Sequence, residues 1–473
     1  MLTLADAIEA VTGTRPHAEA TIEEASVDSR QVVAGGLFVA MPGERMDGHD
    51  FLNDAFKRGA IAALIQRDVE PSFHTVDLRQ GISAEAPPDL TTPVCLRVDD
   101  SLLALQKIAR LWRRKLKLRV IGITGSVGKS TTKEVVAQVL SQRFLTLRSP
   151  GNLNNEIGLP LTILRLGPKH ERAVLEMGFY VPGEIAFLCE IALPQVGVIT
   201  NIGTVHAERA GSQEAIARGK SELIHNLPPG PEGIAILNFD DPLVRRMEEA
   251  TQARVFFYGL SAEADLWADD VQGLGLDGIR FRMHYQRETL HVHVPMIGRH
   301  SVETALRATA VGLVEGLNWQ EILQGLQQGE TQLRLVAVRS ESGALLLDDT
   351  YNASPESMLA ALNLLSELEG QRKIAVLGDM LELGQYEQHG HNIVGLRAAQ
   401  VADVLITLGQ RAHMYAEAAR RAGMKVARIH EFEDEATAID WLQKNLSAKD
   451  AALLKGSHGM RMDRIVAALE QRS

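Results

Sequence analysis

The sequence predicts an α/β fold divided into three domains. Three observations carry that expectation: short apolar runs alternate with amphipathic stretches, a glycine turn joins one such run to a helix pattern, and the chain is 473 residues long. Domains of about 100 to 200 residues make roughly three hydrophobic cores from such a length. Strands that alternate with helical patterns point to parallel sheets with crossover helices.

In the middle of the chain the apolar runs are Leu118 to Ile123, Ala173 to Met177, Val196 to Thr200 and Ile234 to Leu237. Toward the end they are Ala344 to Leu347, Ile374 to Leu377, Val404 to Thr407 and Ala451 to Leu454. Each predicts a buried strand. Between Ile82 and Pro93, Ala-Pro-Pro and Thr-Thr-Pro steps interrupt periodic structure and read as a linker. A second change falls near Gly329, after a helix pattern starting at Trp319. The expected domains are therefore 1–95, 96–328 and 329–473. The last reads as Rossmann-like, yet Val376 to Gly384 lacks G-x-G-x-x-G spacing, so no dinucleotide is indicated.

Composition excludes several function classes. A formal charge of −11 argues against a nucleic-acid partner, because phosphate-backbone binders need a broad basic face. The basic run Arg113, Arg114, Lys115, Lys117 and Arg119 reads as a solvated helix end. Cys95 and Cys189 are the only cysteines, too few for a disulfide framework or a four-cysteine metal site, and both are expected to be buried. The amino terminus is acidic where a signal peptide is basic, and no apolar run has membrane-spanning length. A cytoplasmic monomer without a membrane span is expected.

The most specific motif is Val120-Ile-Gly-Ile-Thr-Gly-Ser-Val-Gly-Lys-Ser-Thr-Thr132, followed by Val135, Val136, Val139 and Leu140 on one helix face. This is a phosphate loop. Gly125 and Gly128 let backbone N–H groups converge on phosphate oxygens, the helix amino end adds positive potential, and Lys129 adds a point charge. Ser130 is placed to ligate Mg²⁺. The loop is a variant, since Ile123 stands where strict Walker spacing has glycine. The expected ATP contacts run over Thr124, Gly125, Ser126, Val127, Gly128, Lys129, Ser130 and Thr131.

After the loop come Asn152-Leu-Asn-Asn-Glu-Ile-Gly-Leu-Pro160, Leu175-Glu-Met-Gly178, Thr200-Asn-Ile-Gly-Thr-Val-His206 and Ala217-Arg-Gly-Lys-Ser221. In type and order these resemble the central-domain motifs of the Mur ligase family. The resemblance implies that Glu176, His206 and Lys220 act with Lys129 in catalysis, and that Ser130, Glu176, His206 and Lys220 hold Mg²⁺. A plain lysine ammonium would be repelled by magnesium; the matching family lysine carries a carbamate, which is accordingly expected on Lys220. Asn154 and Asn155 are expected near substrate.

Leu347-Asp-Asp-Thr-Tyr-Asn-Ala-Ser-Pro355, Gly378-Asp-Met-Leu-Glu-Leu-Gly384 and Leu454-Lys-Gly-Ser-His-Gly-Met-Arg-Met462 are similar to the branch that adds D-alanyl-D-alanine. Asp28-Ser-Arg30, Gly36-Leu-Phe38 and Asp47-Gly-His-Asp-Phe51 resemble its uridine-nucleotide module. By that resemblance Arg334 and Asp349 meet ATP, and Ser29, Arg30, Asp47, Gly48, His49, Tyr351, Asn352 and Lys455 meet substrate. Three departures stand out, one of them His458 where the family commonly has arginine. Gly298-Arg-His-Ser-Val-Glu-Thr304 has Ser301 and Thr304 where the family has asparagines, and Leu333 precedes Arg334 in place of glycine.

The implied activity is ATP-dependent amide ligation through an acyl-phosphate, with UDP-N-acetylmuramoyl-tripeptide and D-alanyl-D-alanine as substrates. Three alternatives share parts of the pattern: another Mur ligase, a folylpolyglutamate-type ligase, which has no need of a uridine module, and a nucleotide-gated regulator, which would hydrolyse ATP without either co-substrate.

Overall fold

A computed structural model of the chain describes residues 1–43, 46–82, 88–204, 207–328, 336–368 and 372–470. Three sheets follow one another along it. The first is parallel, with β1 (Ala25–Ser26), β2 (Leu37–Val39), β3 (Ala62–Ile65), β4 (Thr75–Asp77) and β5 (Val94–Arg97) in the order β1-β2-β3-β5-β4. The stretch from Ile82 to Pro93 therefore joins β4 to β5 within one sheet, and residues 83–87 of it lie outside the described residues. It is not a link between domains. Proline punctuation marks a break in periodicity, and a long strand-to-strand connection breaks it as a domain boundary would. The division at residue 95 falls inside β5.

The central sheet contains β6 (Arg119–Thr124), β7 (Thr146–Arg148), β8 (Arg172–Glu176), β9 (Val196–Ile199), β10 (Ile234–Asn238), β11 (Arg254–Gly259), β12 (Leu266–Gly273), β13 (Ile279–Tyr285) and β14 (Glu288–Val294). Their order is β14-β13-β12-β11-β10-β9-β6-β8-β7, parallel from β7 to β12 and antiparallel at β12-β13-β14. The third sheet runs β15 (Val336–Arg339), β16 (Leu345–Asp349), β20 (Asp450–Lys455), β17 (Arg372–Gly378), β18 (Val404–Leu408) and β19 (Ile429–Phe432), with only β15 antiparallel. The eight expected strands all form.

Continuous apolar runs become strands because both sheet faces are covered. One apolar cluster joins residues of the first sheet, such as Leu37, Leu64 and Leu96, to Leu105, Leu159, Leu175 and Leu223 of the central unit. The opposite face of the central sheet packs Val135, Val136 and Val139 of the Lys129–Leu140 helix against Ala305 and Leu306 of the Ser301–Val314 helix. The third sheet has clusters of its own. Cys95 and Cys189 are buried and unpaired, and burial pushes the Cys95 thiol up to about 12.

The basic run is only partly a solvated helix end. Arg113, in the Ser101–Lys115 helix, is buried and donates to the carbonyls of Ala192 at 2.7 Å, Leu116 at 3.2 Å and Leu118 at 3.2 Å. Lys115 ties this helix to Asp6 at 2.7 Å and Glu9 at 2.8 Å. Arg119 and Arg172 are paired neighbours across β6 and β8, a like-charge juxtaposition resolved by one buried carboxylate. Glu315 meets Arg119 Nε at 2.9 Å and Arg172 Nε at 2.5 Å.

Glu315→Ala should thus leave two adjacent guanidiniums without their shared counter-charge. The expected loss is roughly 2–3 kcal/mol, below the full cost of breaking a buried pair because both arginines keep some solvent. Denaturant unfolding of the intact chain measures it, and an unchanged midpoint would remove this network from the account of sheet stability.

Candidate nucleotide-binding and ligase site

The chain passes from β6 to β7 and β8 on one side and later returns to β9 and β10 on the other. The carboxyl ends of β6 and β9 therefore border the crevice where open α/β sheets take ligands. β6 ends at Thr124, and the loop Gly125 to Gly128 leads into the twelve-residue helix Lys129–Leu140. Gly128 is the cap residue in left-handed conformation at φ 84°, with no side chain bonded to the helix amino end. An amino end without a side-chain cap is the arrangement in which a helix start binds anions.

The loop is held from β9. Ser126 N–H donates to the Asn201 carbonyl at 2.9 Å, and Val127 N–H to Asn201 Oδ1 at 2.9 Å. Thr200 Oγ1 donates to the Val127 carbonyl at 2.7 Å, while Gly203 N–H donates to Ser126 Oγ at 2.8 Å. A Cβ on Gly125 would fall 1.8 Å from Thr200 Oγ1, at a φ of 146°. Thr200 and Asn201 were not among the expected site residues; the Thr-Asn pair directly after a strand was the available signal.

Two lysines converge on one carbonyl. Lys129 Nζ and Lys220 Nζ each donate to Gly125 O at 2.9 Å. Lys220 is carried by the Gln213–His225 helix, buried, with its Nζ 5.0 Å from the centre of the Phe179 ring. Gly219 makes room for that ring, since a Cβ there would lie 1.9 Å from Phe179 Cε2. Burial, together with the Lys129 charge, drives the Lys220 pKa well below its ordinary value. Both effects favour the uncharged amine, the form that is able to act as a nucleophile.

On the other side of β6, Glu176 closes β8. Ser130 Oγ donates to Glu176 Oε2 at 2.6 Å and Asn154 Nδ2 to Oε1 at 2.9 Å. This hydroxyl and carboxylate beside the phosphate loop are hard oxygen donors of the kind Mg²⁺ takes. Lys133, one turn further along the helix, was not foreseen as part of this cluster. It is buried, donates to the Gly151 carbonyl at 2.7 Å and stands 3.9 Å from Glu176. Asn155 Oδ1 accepts from Gly158 N–H at 2.9 Å, at the start of the Gly158–Leu164 helix. His206 and Arg334 lie outside the described residues.

In the first unit Arg30 is exposed and forks onto Asp28, with Nη2 to Oδ2 at 2.8 Å. Ser29 is buried beside it. His49 is buried with both ring nitrogens used: Nδ1 meets Asp47 Oδ1 at 2.6 Å and Nε2 accepts from Gln66 N–H at 3.0 Å. Any influence of His49 on a ligand therefore passes through the Asp47-Gly48 turn. Gly48 is required there because a Cβ would lie 2.7 Å from the Met41 backbone nitrogen.

At the carboxyl edge of the third sheet, Lys455 is buried and bonds Asp349 Oδ2 at 2.7 Å and the Asn352 carbonyl at 2.8 Å. Tyr351 is exposed, its ring centre 5.8 Å from that of His458. This edge faces the central unit. His300 is within electrostatic reach of Asp349 and Lys455, Glu208 N–H donates to the Glu382 carbonyl at 3.4 Å, and Gln385 Nε2 to the Gly211 carbonyl at 3.3 Å. Of the two departures at the helix start, Ser301 Oγ donates to the Ile297 carbonyl at 2.8 Å and Thr304 Oγ1 accepts from Arg307 at 2.9 Å.

Comparison with known proteins matches this arrangement along the chain. Residues 21–112 match the Mur ligase family catalytic domain, 123–312 the Mur ligase middle domain, and 333–458 the Mur ligase glutamate ligase domain. The chain belongs to the Mur ligase family. It is 37% identical over 452 residues to the UDP-N-acetylmuramoyl-tripeptide--D-alanyl-D-alanine ligase of Synechocystis, covering 95% of this chain and 92% of that one. To the Bacillus subtilis ligase of the same name it is 36% identical, covering 98% and 97%. Among solved structures it is similar to MurF from Acinetobacter baumannii, with TM-score 0.82, 30% identity and coverage of 98% and 97%. The Thermotoga maritima MurF ligase in complex with ADP gives 0.78 at 28% identity, covering 94% and 96%. Folylpolyglutamate synthase of Mycobacterium tuberculosis shares the fold at 16% identity and TM-score 0.61, covering 79% of this chain and 95% of that one.

Two variants test the Mur ligase loop directly. Gly125→Ala should displace the Thr200 contact and abolish nucleotide binding, read by titration with a fluorescent ADP analogue, while far-UV circular dichroism stays unchanged. Lys129→Ala should abolish turnover with the fold intact. Near-normal turnover in Lys129→Ala would overturn the assignment of the loop to phosphate.

Proposed function

We propose that this Mur ligase joins D-alanyl-D-alanine to UDP-N-acetylmuramoyl-tripeptide, cleaving ATP to ADP and phosphate. The observation that carries the reading is a preorganised phosphate loop meeting a Ser130–Glu176 pair, in a chain matched almost end to end by ligases of that name. A carboxylate is a poor electrophile, so amide formation in water needs an activated acyl group. The terminal carboxylate of the tripeptide attacks the γ-phosphate of ATP and ADP departs, leaving an acyl-phosphate. The free amine of D-alanyl-D-alanine then attacks the acyl carbon, phosphate leaves, and the amine proton passes to solvent or a nearby base.

In this reading the loop amides and Lys129 hold the phosphates and offset charge on the transferred group. Ser130 and Glu176, with His206, are the residues to hold Mg²⁺, which when bound screens the phosphate oxygens. Asp349 and Arg334 serve the nucleotide side, and Tyr351, Asn352 and Lys455 the peptide substrates. Arg30, Asp47 and Gly48 serve the uridine moiety from the first unit. Closure of the third unit on the central one excludes water from the acyl-phosphate. No described helix is long and apolar enough to cross a membrane.

Lys220 carries a carbamate in this proposal. Its buried amine, with a lowered pKa, supports addition to CO₂, forming an N–C bond with loss of one proton, and the resulting anion would attract Lys129 and a cation, where an unmodified ammonium would repel both.

The central assay is purified protein, ATP, D-alanyl-D-alanine and a panel of UDP-linked tripeptides, with product mass as readout. ATP hydrolysis that proceeds equally without either co-substrate would favour a regulator; turnover of folyl substrates alone would favour the other ligase class. Lys220→Ala should be nearly inactive and partly restored by short carboxylic acids in the buffer, whereas Lys220→Arg should be inactive and resist rescue. An active Arg variant would make Lys220 a bystander. Arg30→Ala should raise KM for the UDP substrate far more than KM for ATP, and an equal rise in both would misplace the uridine site.

A further inference from the structure

Arg307 is an unusual residue for its place. It lies in the Ser301–Val314 helix, which packs along the Lys129–Leu140 helix, and it is only 3% exposed. Its guanidinium stands over the phosphate loop: a Cβ on Gly128 would lie 3.4 Å from Nη2 and 3.9 Å from Cζ. Its hydrogen-bond partners are neutral, with Nη2 on Thr304 Oγ1 at 2.9 Å and Nη1 on the Tyr258 hydroxyl at 3.5 Å. Nε is buried and has no partner among the described residues. The carboxylate in reach is Glu303, with Oε2 at 3.9 Å from Nη1, an ion pair without a hydrogen bond.

A buried guanidinium is expensive to desolvate and is retained where a planar, multidentate anion meets it. Here the loop beside it is an amino-terminal helix site built for phosphate, and the arginine is buried, incompletely partnered and directed at the loop's cap residue. We infer that Arg307 is a phosphate-contacting residue of the nucleotide site, supplying a third donor group to the phosphate chain alongside the loop amides and Lys129. The Thr304 hydroxyl and the Tyr258 hydroxyl act as the brackets that aim its fork. Tyr258 is itself anchored, its hydroxyl donating to the carbonyls of Ile199 at 3.2 Å and Thr200 at 3.1 Å at the exit of β9. The same β9 exit therefore sets the position of both the loop and the arginine. This inference rests on the proposed reading of the loop as an ATP site.

The test compares Arg307→Met, Arg307→Lys and Lys129→Ala in the full chain, with ATP and inorganic tripolyphosphate as probes. Tripolyphosphate has the phosphates and neither base nor ribose. Arg307→Met should raise KM for ATP and the inhibition constant of tripolyphosphate by the same factor, about tenfold for the loss of a charge-assisted hydrogen bond. KM for the UDP substrate and the melting temperature should stay near those of the parent, and Arg307→Lys should recover part of the loss. An unchanged KM for ATP in Arg307→Met, or a rise for ATP with none for tripolyphosphate, would overturn the inference, the latter by making Arg307 a base or ribose contact. A lowered melting temperature together with an equal rise in both KM values would overturn it as well, by making the role structural. For the inactive Lys129→Ala, both probes are read by displacement of a fluorescent ADP analogue; if they bind as tightly as to the parent, the ATP-site reading itself fails.

Discussion

No side chain fits at Gly125, and much of the site depends on that. The backbone there passes so close to Thr200 that the loop can be gripped by the exit of β9, with Thr200 and Asn201 satisfying the peptide groups of Ser126 and Val127. The carbonyl of Gly125 is left facing inward, where it receives both Lys129 and Lys220. A phosphate loop that is already hydrogen bonded need not be ordered by its ligand, so binding energy remains for orientation and chemistry.

Much of the fold was legible because buried parallel strands announce themselves as uninterrupted apolar runs. All eight of the expected runs became strands, with ends shifted by at most two residues. The antiparallel β12-β13-β14 edge was not read: its alternating, half-polar pattern, as in Ile279 to Tyr285, looks like ordinary surface sequence. Strand order was also invisible, since local periodicity carries no information about which strand lies beside which. The Pro-rich stretch before β5 was misread for the same reason.

Legibility at the site followed distance along the chain. Residues 124–131 form one contiguous turn, so their convergence could be argued from spacing and backbone geometry alone. Lys220 and Glu176 needed the family resemblance, because each looks like a surface charge until the fold buries it. Thr200, Lys133 and Arg307 were missed. Their importance comes from the partners that the fold brings to them, Gly125, Glu176 and Gly128, which no window of sequence contains together.

The apolar cluster shared by the first sheet and the central unit has a consequence for how the gene can be rearranged. Leu37 and Leu64 are buried in the same cluster as Leu159 and Leu175, whereas the third sheet closes two clusters largely of its own residues, meeting the central unit through Ile297 and polar contacts such as Gln385 to Gly211 and Arg299 to Glu367. Recombination that swaps or detaches the carboxy-terminal third would cut few apolar contacts and preserve two working cores. Exchange of the amino-terminal part would expose half of a core on either side of the junction. The carboxy-terminal unit is therefore open to exchange as a block, while the amino-terminal part must change by point substitution.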